Sequence, residues 1–306
     1  MTTTRREFLA ASAALPAAGR LTAAAPALRF PTAPRDRLAV ASYSFRISID
    51  TPRNRSNKPR DTLIDLKDFP AMIAKRYEIR NVELLGQHFR STEPGYLDEL
   101  RSAVRSAGSQ VVNIPTSIGA SVYDPDSAKR ATAVANAKKW IDVAAAMNCP
   151  SVRVHIQGVK GADPDVSLAS EALLRVSAYG ASKSVIVNLE NDDLVSEDAF
   201  FLAKVIDQAN SPWLRALPDF CNSMLGGNEK FNYDAVTAMF RRAYNISHLK
   251  DSEVERDMVF RVDLRRTFDI AKAAGYKGYF SIEFEGEGDP YVETGRLIDE
   301  SLKLLA

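Results

Sequence analysis

Residues 185–190 read Val-Ile-Val-Asn-Leu-Glu, and residues 214–219 read Leu-Arg-Ala-Leu-Pro-Asp. Each is a short apolar run closed by a carboxylate, and between them Glu197–Ala209 carries apolar residues at helical spacing. Strand, helix and strand with no hairpin turn between them make one unit of a parallel sheet. The unit recurs in both directions along the chain. Further apolar runs lie at Leu38–Tyr43, Arg80–Leu85, Gln110–Ile114, Ser151–Ile156, Asn245–Leu249 and Tyr279–Phe284. Helical stripes fill gaps between them at Ala131–Met147, Ser167–Tyr179 and Leu264–Ala274, and Ala107-Gly108, Met147-Asn148 and Ala274-Gly275 supply helix stops.

Eight βα units at roughly 30- to 40-residue intervals predict a (β/α)8 TIM barrel over residues 36–306. An open doubly wound sheet would want a Gly-rich phosphate turn after its first strand, and Ser42-Tyr43-Ser44-Phe45 is not one. No Pro/Gly/Ser-rich linker divides the units, so the 306 residues carry one catalytic domain. Forty Lys plus Arg against 39 Asp plus Glu give a net charge of +1, which offers no long-range attraction for nucleic acid or anionic membrane. Two cysteines exclude a disulfide scaffold or a Cys-based zinc framework. Cys149 and Cys221 fall at opposite ends of the barrel, which predicts two free thiols.

The N-terminus reads as an address. Thr4-Arg5-Arg6-Glu7-Phe8-Leu9 precedes a weakly apolar Ala-rich run to Ala25, in the pattern of a twin-arginine export signal. Ala25-Pro26-Ala27 offers a cleavage site, with Ala18 and Ala24 as alternatives. The expectation is a signal peptide over residues 1–27, a linker over 28–35, and a periplasmic or secreted protein without a membrane anchor.

A barrel places its active site at the C-terminal ends of its strands. There, four successive runs close on Glu190, Asp219, His248 and Glu283. Three carboxylates converging near one axis repel unless protonated or compensated, and a divalent cation removes the conflict. Oxygen ligands with one nitrogen suit Mn2+ first, with Mg2+, Co2+ or Zn2+ as alternatives.

The order Glu–Asp–His–Glu on runs five to eight resembles the xylose isomerase-like barrel superfamily, which includes sugar isomerases, epimerases and metal-dependent AP endonucleases. Val82-Glu83-Leu84, Val154-His155 and His248-Leu249-Lys250-Asp251 add to the likeness over residues 36–306. The resemblance implies that Glu190, Asp219, His248 and Glu283 ligate one metal. It also implies that Glu190 and Glu283 are the acid/base pair of an isomerase or epimerase. Such an enzyme moves a proton beside a carbonyl of a sugar or keto-sugar through an enediolate that a metal stabilises. Two positions depart from ketose 3-epimerases: Asn222 stands where those carry His, and Val254 where they carry Arg, with Arg256 nearby.

Other polar residues are candidates for substrate contact. His155 shares the inward parity of Arg153, where it meets substrate, a second metal, or an interior hydrogen-bond partner. Glu83 faces inward, toward substrate or into an ion pair with Arg153. Lys250 faces the mouth, to bind substrate or to neutralise Asp251. Glu285 shares the parity of Glu283, but Glu285-Gly286-Glu287-Gly288 reads as loop. His88 is a pocket-lid residue or a solvated loop histidine. Trp213 begins its run and belongs at the barrel bottom.

Two alternatives stand beside the isomerase. A lyase or hydratase acting on a 3-keto-glycoside would use the same base and metal, and a non-catalytic sugar-binding barrel would keep the mouth without the turnover. An AP endonuclease would need a larger His cluster, and Asn113, Asn222 and Arg261-Val262-Asp263 do not supply it. The partner is a small sugar, with a homo-oligomer open.

Overall fold

A computed structural model describes residues 24–226 and 228–306. Most of the expected export signal, residues 1–23, lies outside the described residues. Among the described residues no helix is long and apolar enough to cross a membrane.

All eight runs are strands. They are β1 (Leu38–Ala41), β2 (Asn81–Glu83), β3 (Gln110–Ser117), β4 (Ser151–His155), β5 (Ile186–Glu190), β6 (Leu214–Leu217) and β7 (Ile246–Leu249), with β10 (Tyr279–Ile282) last. Strands β8 (Ser252–Glu255) and β9 (Met258–Arg261) form a separate antiparallel hairpin. The parallel sheet runs β6-β5-β4-β3-β2-β1-β10-β7 and curls into a nearly closed barrel. Between β6 and β7 single bridges replace a ladder, pairing Ala216 with Ala243 and Asp219 with His248. Pro218 has no N–H to give at this seam. Its carbonyl accepts from His248 N at 3.0 Å and from Ser247 Oγ at 2.6 Å, which sets Asp219 beside His248.

The strands read as near-continuous apolar runs because both faces are buried. Val152, Val154 and Ile156 face the helices in the main core, as do Val187 and Leu189. The helices start on residues that satisfy their free N–H groups. Asp126, Asp165, Asp198, Asp263 and Asp289 accept from the first turns of the helices Ser127–Ala146, Val166–Lys183, Ala199–Ala209, Leu264–Ala273 and Pro290–Leu305. Near the end of Val166–Lys183, a Cβ on Gly180 would stand 2.4 Å from the Val185 carbonyl oxygen, so only glycine lets this helix lie so close to the start of β5.

The barrel interior is a polar column where aliphatic layers are usual. Asn188 donates to Asn245 at 3.2 Å, Asn245 to Ser151 at 2.8 Å, Ser151 to Asn113 at 2.6 Å, and Asn113 to Glu83 at 2.7 Å. Every link is buried, and the chain of donors ends beneath His248.

Two features differ from the sequence reading. The hairpin β8/β9 was unexpected: its alternation is weak and much of it is exposed, so no apolar period marks it. The start of the stretch expected as a linker is docked, together with the last four residues of the expected signal. Phe30 packs edge-on against Tyr244 and Tyr279 at 5.4 and 5.9 Å. Trp213 Nε1 donates to the Ala24 carbonyl at 2.7 Å and Tyr244 Oη to that of Pro26 at 2.8 Å, so residues 24–30 cover the bottom of the barrel.

Candidate functional site

Glu190 ends β5, Asp219 follows β6 by two residues, His248 lies in β7, and Glu283 follows β10 directly. All four are buried. One ligand atom from each lies within 4.8 Å of all the others. His248 Nδ1 is the hub, 2.7 Å from Glu190 Oε1 and 3.1 Å from Glu283 Oε2. The seam bridge supplies Asp219 at its side.

Asp219 shows what the cluster lacks. Its Oδ1 accepts the backbone N–H groups of Cys221 and Asn222, both at 2.7 Å. Its Oδ2 is buried and has no hydrogen-bond partner among the described residues. Lys250 Nζ stands 3.8 Å away, beyond hydrogen-bond reach. Burial pushes the Asp219 carboxyl well above its ordinary range; Lys250 opposes that push, while Glu190 and Glu283 add to it. Burial raises Glu283 as well. Burial would lower His248, but the charges of Glu190, Glu283 and Glu83 outweigh it and hold the imidazole well above its usual value. The site has an excess of negative charge and an orphaned oxygen. Three carboxylate oxygens and one imidazole nitrogen fit the donor set of a hard divalent cation. Of the two candidate carboxylates after β10, Glu283 turns into this cluster. Glu285 turns to Lys250 at 3.1 Å and accepts from Tyr43 at 2.8 Å.

The cluster floors a cavity of about 370 Å³ whose wall includes Tyr43, Arg153, His155, Asn222 and Lys250. Arg153 Nε lies 2.8 Å from Glu190 Oε2, and Asn222 Nδ2 donates to Glu190 Oε1 at 3.3 Å. Both fix the rotamer of Glu190, and Asn222 thereby serves the ligand shell from the position where an epimerase histidine was expected. Val254 is half-buried in β8, and Arg256 sits exposed at the hairpin tip with φ of 56°.

Several expectations are corrected. Glu83 neither lines the cavity nor pairs with Arg153. It is fully buried beneath His248, with Oε2 3.0 Å from His248 Nε2 and further bonds from Ser281 and Asn113. Burial pushes its carboxyl up, but His248 and these donors outweigh burial and leave it below its ordinary range. Lys250 does not neutralise Asp251: it is buried and pairs with Glu253 and Glu285. His88 is not a solvated loop residue. It is buried, its Nδ1 2.9 Å from Ser42 Oγ, and desolvation lowers it to about 4.

His155 does line the cavity. Its Nδ1 stands 2.7 Å from Glu197 and 3.2 Å from Asp192. These two carboxylates, Asp192 first, raise it to about 10. His155, Asp192 and Glu197 have ligand spacing. However, Arg153 Nη2 already reaches Asp192 at 2.6 Å and Glu197 at 3.2 Å, so a second cation would have to compete with a guanidinium. Sequence reasoning missed Asp192 and Glu197. The available signal was Asp192 following Glu190 at the same strand parity.

The comparisons with known proteins agree with this fold. A sequence family described as Xylose isomerase-like TIM barrel matches residues 73–306. Among curated proteins no sequence relative matches. Solved structures do. A D-allulose 3-epimerase from Methylomonas sp. superposes with a TM-score of 0.68 at 14% identity, covering 90% of this chain and 100% of that one. A xylose isomerase-like TIM barrel protein from Mycobacterium smegmatis in complex with magnesium gives 0.66 at 15%, covering 90% and 98%. A 3-keto-D-glucoside 4-epimerase from E. coli gives 0.62 at 12%, covering 87% and 98%.

Proposed function

The chain belongs to the xylose isomerase-like TIM barrel family, and from that membership and the shape of its mouth we propose that it is a metal-dependent sugar isomerase or epimerase acting on a sugar or keto-sugar. The observation that carries the reading is the converging set Glu190, Asp219, His248 and Glu283 with the unpartnered Oδ2 of Asp219. These four residues would hold one divalent ion. When bound, it supplies the positive charge that stabilises the substrate oxygen turning negative as the proton leaves.

The chain's own residues do the rest. Glu190 and Glu283 approach the same imidazole nitrogen, and both border the cavity. One takes the proton from the carbon beside the carbonyl and the other returns a proton to it, which inverts the centre if they act on opposite faces. Arg153 and Asn222 hold the Glu190 carboxylate in place. His155 and Lys250 present N–H donors from the wall to substrate hydroxyls. The Methylomonas and E. coli epimerases share the fold and so support, by analogy, a sugar as substrate.

A second reading, elimination from a 3-keto-glycoside, is favoured by one observation. A second cavity adjoins the first and offers room for a leaving group. Incubating metal-loaded protein with a panel of keto-sugars and 3-keto-glycosides in 2H2O, followed by NMR, separates the readings. Deuterium at the carbon beside the carbonyl with an epimeric product supports the isomerase. Release of the substituent supports the lyase. No exchange in any member of the panel leaves the non-catalytic sugar-binding barrel.

We further propose that residues 1–27 direct export by the twin-arginine route, which suits a protein that folds around its metal before translocation.

A further inference from the structure

The second cavity, of about 680 Å³, shares Tyr43, Leu85 and Gln87 with the catalytic one and extends outward from it under the segment 46–58. Both volumes lie within the range of ligand pockets. The segment is rich in cations, and they divide into two groups. Arg55, with Arg60 just beyond the segment, turns away and pairs with Asp50. Arg46, Arg53 and Lys58 line the cavity, and among the described residues no carboxylate does. Arg53 and Lys58 have no ion-pair partner among the described residues.

The lining is built rather than loose. Asn54 Nδ2 donates to the carbonyls of Arg46 at 2.7 Å and Ile49 at 2.8 Å, pinning the segment over the mouth. Lys58 Nζ donates to the Ile47 carbonyl at 2.9 Å. The Arg46 guanidinium lies over the Tyr43 ring, 4.4 Å from its centroid, with Glu285 at 3.5 Å. Arg46 and Tyr43 thus mark the step between the two cavities.

We infer that the outer cavity is a subsite for a carboxylate-bearing sugar residue, an aldonate or uronate, linked to the sugar that occupies the metal-binding floor. The donors are side-chain cations spaced around the cavity. Arginine and lysine side chains meet a carboxylate by charge-assisted hydrogen bonds, bidentate where arginine is the donor. This inference rests on the sugar reading of the inner site and names the class of substrate that site takes.

Calorimetry on the full, Mn2+-loaded protein tests it with two disaccharides of matched size, cellobiose and cellobionate. Cellobionate is expected to bind about tenfold tighter at low ionic strength, and the gap should narrow with added salt. The Arg53→Ala/Lys58→Ala variant, altered only at exposed positions, should lose the preference for cellobionate over cellobiose. Equal binding of the two sugars by the native protein, or a preference that survives the double substitution, overturns the acidic subsite alone. Binding of neither sugar overturns the sugar reading and this subsite with it.

Discussion

Glu83 Oε2 lies 3.0 Å from Nε2 of His248, on the side of the ring away from Glu190 and Glu283. The carboxylate therefore fixes which imidazole nitrogen carries the proton. With Nε2–H donated to Glu83, Nδ1 faces the cluster and is the nitrogen that would give up its proton to a bound cation. Ser281 and Asn113 hold Glu83 in turn, so the polar column of the barrel ends by orienting a single ring. Substituting Glu83→Gln should weaken Mn2+ affinity by about 10- to 100-fold, read by chelator competition, with the melting temperature little changed. Unaltered affinity would show that His248 is oriented by other means.

The ligand set itself predicts stoichiometry. Protein matured in vivo should contain about one divalent metal per chain by elemental analysis. Asp219→Ala and His248→Ala should remain folded and lose it, because each removes one of four converging donors. Metal retained at full occupancy in both variants would place the ion elsewhere.

Much of this site was legible in the sequence because strands buried on both faces leave plain apolar runs, and the polar residue that ends a run marks the mouth. Glu190, Asp219, His248 and Glu283 were readable on that ground. Depth was not. Glu83 ends a three-residue strand, and nothing in Asn-Val-Glu shows that its carboxylate lies under a histidine rather than against a substrate. One of the two readings of Glu83 paired it with Arg153 because both face inward. Arg153 pairs with Glu190, Asp192 and Glu197, since the long side chain reaches the loop after β5. Phe30 stands in a Pro-rich stretch with no period, so its docking on Tyr244 and Tyr279 had no local signal.

His88 gives a pH dependence. Its folded value of about 4 lies below the 6.5 of an exposed histidine because it is desolvated. The unfolded chain binds the proton more readily, so this group's contribution is complete above about pH 6.5 and lost as pH falls to about 4. The loss amounts to about 3 kcal/mol. Urea midpoints measured across that window should fall more steeply for the native protein than for His88→Asn. Parallel profiles would mean that the ring is solvated.

Export has its own test. Changing Arg5 and Arg6 to Lys should strand the protein in the cytoplasm, as read by fractionation of cells carrying the variant. Normal export of the variant would remove the twin-arginine assignment and leave the barrel chemistry untouched.

The central claim is that Glu190 and Glu283 handle the substrate proton at a metal-loaded site. Gln keeps the size of either side chain and one ligand oxygen but cannot take a proton. The most direct measurement is the rate of solvent deuterium incorporation and product formation with the keto-sugar that the wild type turns over, for Glu190→Gln and Glu283→Gln, with bound metal quantified in the same samples. The account predicts product formation reduced by roughly 10²- to 10⁴-fold in each variant while metal is retained. It allows residual exchange from one face in either. Full turnover by both metal-loaded variants would contradict it.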